Sequence, residues 1–219
     1  MHSSEQEKVL ESLTGQARLQ TYRNSEANPA DLYMWNLAVS AELYILLGHL
    51  EIALRNHIDR ALPPGWALPR QTPAPVYSLL RRSLLKALQS AEALAQAKGR
   101  DLSHDDVIAQ LSFGSWCHLI GKSGRPDEHR QQELWRNYYA PIFKKPGLEE
   151  ERVAVGQRLE RLRKLRNRIA HHENLLQVNL PERLQDIILV LDSLDSRYTP
   201  FLLRNSRIEE LISQDPRKS

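Results

Sequence analysis

A single cysteine, Cys117, is all the sequence offers, so no internal disulfide framework can form and the chain suits a reducing compartment. Strand-forming material is scarce as well. Three phenylalanines, nine glycines and few alternating apolar runs stand against abundant Leu, Ala, Arg, Glu and Gln, the residues that lose least on entering a helix. That balance predicts an all-α protein. No apolar run approaches the roughly 20 residues that span a bilayer. The opening stretch Met1–Lys8 is polar and lacks the apolar core of a signal peptide. A cytoplasmic protein without membrane association is therefore expected. Also missing are a Gly-rich phosphate loop, a Gly-x-Ser-x-Gly elbow, His-Glu-x-x-His and a cysteine cluster. Cys117 has apolar neighbours and no visible activating base.

With 219 residues, 41% of them hydrophobic, the chain is long enough for one domain, 1–219, with a well-buried core. The core is expected over about 28–204, with a frayed tail at 214–219. Helical spacing of Val9, Leu10, Leu13 and Ala17 predicts a first helix over about 4–22. Asn28-Pro29 is a start signal for a second, running to Leu62. Leu32, Trp35, Leu37, Leu43, Ile45, Leu46, Leu47, Leu50, Ile52, Leu54 and Ile58 make it apolar nearly all round, the pattern of a long central helix surrounded by partners.

Residues 63–75 hold five of the twelve prolines and read as an exposed connection, with Trp66 its best candidate for a surface contact. Further helices are expected over 76–97, ended by Gly99, and from Ser103 and Asp106 as a capping pair. Phe113–Ile120 reads as core. Another helix is expected from Pro126 to Tyr139, with Pro141, Pro146 and Gly147 ending the turn after it. Two more follow, over 149–172 and 181–204. Trp35, Trp116, Trp135, Tyr138 and Tyr139 can stack on bases, but at helical spacing they more often pack the core.

The formal charge of +3 permits a nucleic-acid partner without requiring one. Local charge is sharper, with six basic residues and one acid between Arg158 and Arg168. Directly after them stand His171, His172 and Glu173. Such a set suits phosphodiester chemistry, because an arginine neutralises phosphate and a histidine exchanges protons near neutral pH. Val155, Leu159, Leu162, Leu165 and Ile169 share one side of the helix, and Arg166 falls within that arc. A guanidinium there needs a partner or a wet groove. Glu51, in Glu51-Ile-Ala-Leu-Arg-Asn56, is the expected partner, either as a plain ion pair or as a carboxylate that holds Arg166 toward a phosphate.

Asn167 and Arg168 can neighbour His171 across one turn. Arg166 and His171 are five apart, about 140° around an ideal helix, and should not converge on it. Either the helix loosens near Ala170, the arginine reaches round, or two subunits share the site. Adjacent histidines diverge by 100° and rarely chelate one ion, so no metal and no cofactor are expected.

Arg166 and His171 match the Arg-x4-His signature of the HEPN superfamily, and Leu165–Asn174 as a whole resembles its Abi-like branch of bacterial abortive-infection (phage resistance) proteins. The resemblance extends over about residues 30–180. It is carried by Tyr33-x-Trp35-Asn36 with Ser40, then Glu51 to Asn56, then Leu111–Trp116, then Leu134-Trp135, then the motif. It implies an HEPN-like helical bundle, a homodimer with a composite site, and a toxin-like, metal-independent RNase acting in phage defence on an RNA substrate; whether a protein or RNA antitoxin silences it is not written in the sequence. Arg166 and His171 carry the chemistry, with Asn167, Arg168, His172, Glu173, Glu51, Arg55 and Asn56 in support. His171 takes the 2′-hydroxyl proton, and its mate or His172 protonates the leaving oxygen. The alternative is a non-catalytic helical module that binds RNA or protein.

Overall fold

The Asn28 side chain accepts hydrogen bonds from the amides of Ala30 (2.9 Å) and Asp31 (3.2 Å), and from that cap α3, Pro29–Ala61, runs without interruption through Gly48. In this computed structural model residues 3–68, 74–97, 103–121, 128–143 and 149–218 are described, and among them no strand occurs. The protein is all-α. Ahead of α3 stand α1, Ser3–Thr14, and α2, Gln16–Arg23, where a single helix was expected. Gly15, with φ 84°, parts them, and Arg23 ties them together through Glu7 (2.6 Å) and Glu11 (2.8 Å).

After α3 come α4, Ala74–Leu79; α5, Arg82–Gln96; α6, His104–Ala109; α7, Phe113–Ile120; and α8, Glu128–Leu134. The last continues as a π-helix over Trp135–Tyr139 and a 3-10 turn over Ala140–Phe143. The chain closes with α9, Glu149–Ala170; α10, Leu180–Leu194; α11, Tyr198–Arg204; and α12, Ile208–Ser213. The expected capping pair at Ser103 and Asp106 is present in both directions. The helix expected over 76–97 is split at Arg81, whose backbone is extended, with neither proline nor glycine to announce it. The helix expected over 181–204 is split at Asp195, whose carboxylate accepts from the amide of Arg197. Gly99, expected to end a helix, Pro126, expected to begin one, and Pro146 and Gly147, expected to end the turn after it, fall outside the described residues.

The inner side of α3 carries Leu32, Trp35, Val39, Leu43, Leu46, Leu47, Leu50, Leu54 and Ile58, all buried, against α7, α9, α10 and α12. Its outer side was expected to be covered as well, and it is not. Met34, Leu37, Tyr44, Ile45 and Ile52 are exposed, and with Ala41 and Gly48 they form a second apolar seam at spacings of three and four. Being apolar on both sides, α3 reaches a mean hydropathy of 1.6 over an 18-residue window, enough by length and composition to cross a membrane. Counting uninterrupted apolar runs had missed this. Ser40, Glu42, His49 and Glu51 break the run without lowering the mean enough.

Trp66 was expected at the surface and is instead fully buried. The turn Pro63-Pro64-Gly65, with Gly65 at φ 77°, folds the chain back, so that the indole packs against Trp116 and donates to Asp59 (2.8 Å). The tail expected to fray from Gln214 is docked through Lys218. Asp215 is buried, and Arg217 pairs with it (2.7 Å), lies over the Trp35 ring and donates to the carbonyl of Leu176 (2.6 Å). Trp35 in turn donates to the carbonyl of Leu211 (2.7 Å).

Candidate functional site

Arg152, close to the start of α9, is wholly buried and supplies the helix's electrostatic anchor. It donates to Glu149 (2.9 Å), Glu128 (3.1 Å) and the carbonyl of Ile120 (3.2 Å). From there Val155, Leu159, Leu162, Leu165 and Ile169 are buried as the periodicity requires. Further along, Arg163 pairs with Glu160 (2.9 Å) and Arg161 with Asp186 (2.9 Å). The helix thus delivers the motif residues at a fixed pitch.

Arg166 is half-buried and faces α3. Burial pushes the Glu51 carboxyl up from its ordinary value, against the opposing pull of the Arg166 and Arg55 guanidinia. Glu51 is therefore the electrostatic neighbour that was expected. The direct pair is not formed: among the described residues no hydrogen bond or ion pair joins them. Arg166 feels the carboxylate without being held by it, so its donors stay open to an anion.

The end of α9 is built by backbone. The amide of His172 donates to the carbonyl of Ile169 and that of Glu173 to Arg168, both at 2.9 Å. This is the paired closure that usually has glycine in the left-handed position. Here His172 takes it, at φ 55°, the one non-glycine with positive φ among the described residues. Its carbonyl accepts from Arg18 of α2 (2.7 Å). Arg168 is occupied at the same turn, donating to the carbonyl of Asn174 (2.6 Å) and pairing with Glu173 (3.5 Å). Behind the turn, buried Asn36 accepts from the amide of Leu175 (2.8 Å) and fixes the loop to α3.

His171 precedes this closure. Its amide still bonds to the carbonyl of Asn167 (2.9 Å), so helical geometry extends through it, and its imidazole is exposed. At 100° per residue it points about 140° away from Arg166, and α9 does not loosen at Ala170. Of the three routes to convergence, loosening is thereby removed.

A groove of about 390 Å³ separates α3 from the motif end, lined by Leu37, Ser40, Ala41 and Tyr44 on one wall and by Ala170, His172 and Glu173 on the other. Asn56 lies elsewhere, in a second groove of about 480 Å³ with His49, Ile52, Tyr198 and Phe201. Arg55 reaches the motif through its charge on Glu51. Arg18, Asn36 and Tyr44 enter the site without having been named for it. Only Asn36 carried a signal, through the Tyr33-x-Trp35-Asn36 string. Cys117 is buried, its thiol pushed well up by desolvation and directed at the carbonyl of Leu159 (3.7 Å), which removes it as a nucleophile. Among the described residues no group of three His, Cys, Asp or Glu side chains is placed to hold a metal ion. Compared with protein-family models, curated proteins and solved structures, the chain matches none.

Proposed function

We propose that the protein is a metal-independent RNA endonuclease working as a two-fold dimer, toxin-like and acting in phage defence, as its resemblance to the Abi-like branch of the HEPN superfamily implies. The observation that carries this reading is the exposed apolar seam of α3, because it lies between the two halves of the motif. Its Leu37–Tyr44 end adjoins Ala170 and His172, the residues on either side of His171, which itself does not line that groove. Its other end, at Ile52, adjoins Glu51, whose carboxyl feels Arg166. About 16 Å of helix separates Ala41 from Ile52 within one protomer. A second copy packed antiparallel about Tyr44 and Ile45 sets the two ends against each other, and each Arg166 meets the partner's His171. Exposed apolar side chains along the seam supply the driving force for such packing.

In this site His171 takes the proton of the RNA 2′-hydroxyl, which attacks the adjacent phosphorus. The imidazolium so formed protonates the departing 5′-oxygen. Arg166, its donors unspent on Glu51, stabilises the added charge on the phosphorane. Products are a 2′,3′-cyclic phosphate and a 5′-hydroxyl, and DNA is not cut.

Purified protein incubated with total RNA tests this, with and without EDTA, beside Arg166→Ala, His171→Ala and their mixture after subunit exchange. Each variant alone should lose about 10²-fold or more. Mixing should restore about a quarter of wild-type activity, since half of the randomly exchanged dimers are hybrids and each hybrid rebuilds one of its two sites. Recovery of nothing by variants that still dimerise sinks the shared site, and full cleavage by a His171→Ala dimer removes the imidazole from the chemistry. One observation favours the second reading, a non-catalytic module binding RNA or protein: Arg166 and His171 diverge within a protomer. It gains if expression of the wild type is harmless and matches that of His171→Ala.

A further inference from the structure

The outer face of α9 carries a feature the proposed chemistry does not use. Arg161, Lys164, Leu165 and Arg168, with Val178, Asn179 and Arg183 from the start of α10 and the loop before it, line a groove of about 320 Å³. Asp186 holds Arg161 (2.9 Å) and Arg183 (3.3 Å), and Glu182 also pairs with Arg183, so the carboxylates fix the walls. They do not neutralise them. Arg158, Arg161, Lys164, Arg168 and Arg183 outnumber Glu173, Glu182 and Asp186 along this side by two charges. Lys164 is exposed and has no ion pair or hydrogen bond among the described residues.

Lys164 and His171 are seven residues apart, so the imidazole stands on nearly the same side of the helix, turned by about 20°, and about 10 Å further along. Arg166 faces the opposite way. The groove therefore leads to the imidazole and away from the guanidinium.

We propose that this groove is a binding site for the sugar-phosphate backbone of single-stranded RNA, with Lys164 and the remaining Nη2 of Arg168 neutralising successive phosphates and His171 at the exit. It rests on the reading that His171 acts on RNA and adds the path by which the strand arrives. A compact ammonium at an open rim, beside an Asn179 whose side-chain oxygen is engaged in capping α10 (3.2 Å from the Glu182 amide), makes the contact independent of sequence. A strand held at Lys164 reaches the imidazole with its next phosphate or the one after.

The test is fluorescence anisotropy of two labelled single-stranded RNAs of unrelated sequence, titrated with the His171→Ala dimer across a salt series. Lys164→Ala in that background should lower the salt slope by about 0.7, which is about fivefold in affinity at 0.1 M salt, equally for both RNAs. Lys86→Ala, an exposed lysine on α5, should change neither. Lys164 has no structural partner to lose, and circular dichroism checks that the fold is kept. An unchanged slope and affinity in Lys164→Ala overturns the proposal, as does failure of the His171→Ala dimer to bind either RNA. Cleavage by the wild type with an unaltered Lys164→Ala slope sinks the groove alone. Binding through Lys164 by a protein that cuts nothing sinks the nuclease reading alone.

Discussion

His172 separates a backbone role from a chemical one, and three substitutions distinguish them. A non-glycine residue in the left-handed region costs about 1 kcal/mol, while glycine loses about 0.5–1 kcal/mol through the freedom of its unfolded chain. Because His172 sits at φ 55° and closes α9 through its amide, His172→Gly should be between neutral and about 0.5 kcal/mol stabilising. For a chain of this length that is a rise in Tm of about 0–2 °C. His172→Ala should keep the strain and stay within about 1 kcal/mol of wild type. His172→Val, β-branched and poorly tolerated at positive φ, should lose about 1–3 kcal/mol. Thermal denaturation gives the series, and RNA cleavage is measured on the same samples. His172→Gly should remain within a few-fold of wild type, since the carbonyl that takes the Arg18 donor belongs to the backbone. Equal Tm values for Gly and Val would refute the account of the turn. Loss of cleavage in a fully folded His172→Gly would return the proton transfer to that imidazole.

Two further outcomes follow from buried charge. Arg152→Met should destabilise by about 3 kcal/mol, the low end for a broken buried pair because Glu149 and Glu128 keep access to water, and urea denaturation at constant m-value checks it. Acid should loosen the same anchor and the C-terminal clasp. The Arg152 and Arg217 guanidinia hold Glu149 and Asp215 below their ordinary values of 4.5 and 3.8, so that stability is complete above those values and is lost as pH falls through the lowered folded ones. Glu51, raised by burial, acts with the opposite sign and gains as it protonates. A Tm that falls below pH 4, and falls less steeply in Asp215→Asn, is expected. A Tm flat across that range would contradict it.

Much of the fold was legible in the sequence. Asn28-Pro29 set the start of α3 to the residue, Ser103 and Asp106 capped α6, and the apolar spacing of α9 named its buried side. What the sequence concealed has physical causes. An apolar residue reads alike whether it faces a core or open solvent, so the outward seam of α3 was indistinguishable from the inward one. Proline density signals irregular backbone, but Trp66 shows that irregular backbone can still bury its side chain. The break at Arg81 carries no proline or glycine, so no local signal in the sequence marks it. At the candidate site the sequence named Arg166, His171 and Glu51 as neighbours of interest. It could not show that His172 does a glycine's task, because φ is set by the turn and not by the residue's own preference. Arg18, more than 150 positions away, had no local pattern to betray it.

The docked tail has a consequence for the order in which the molecule is completed. Trp35 and Leu211, 176 positions apart, are joined by one hydrogen bond, and Arg217 reaches from the same arm to Leu176 in the loop that follows the motif. On a ribosome that loop emerges some forty residues before its brace. A nascent chain therefore displays the basic helix and both motif histidines for a time with the turn and loop held only by Arg18 and Asn36, and a messenger cut or stalled in that interval yields a protomer with the motif present and one of its braces missing.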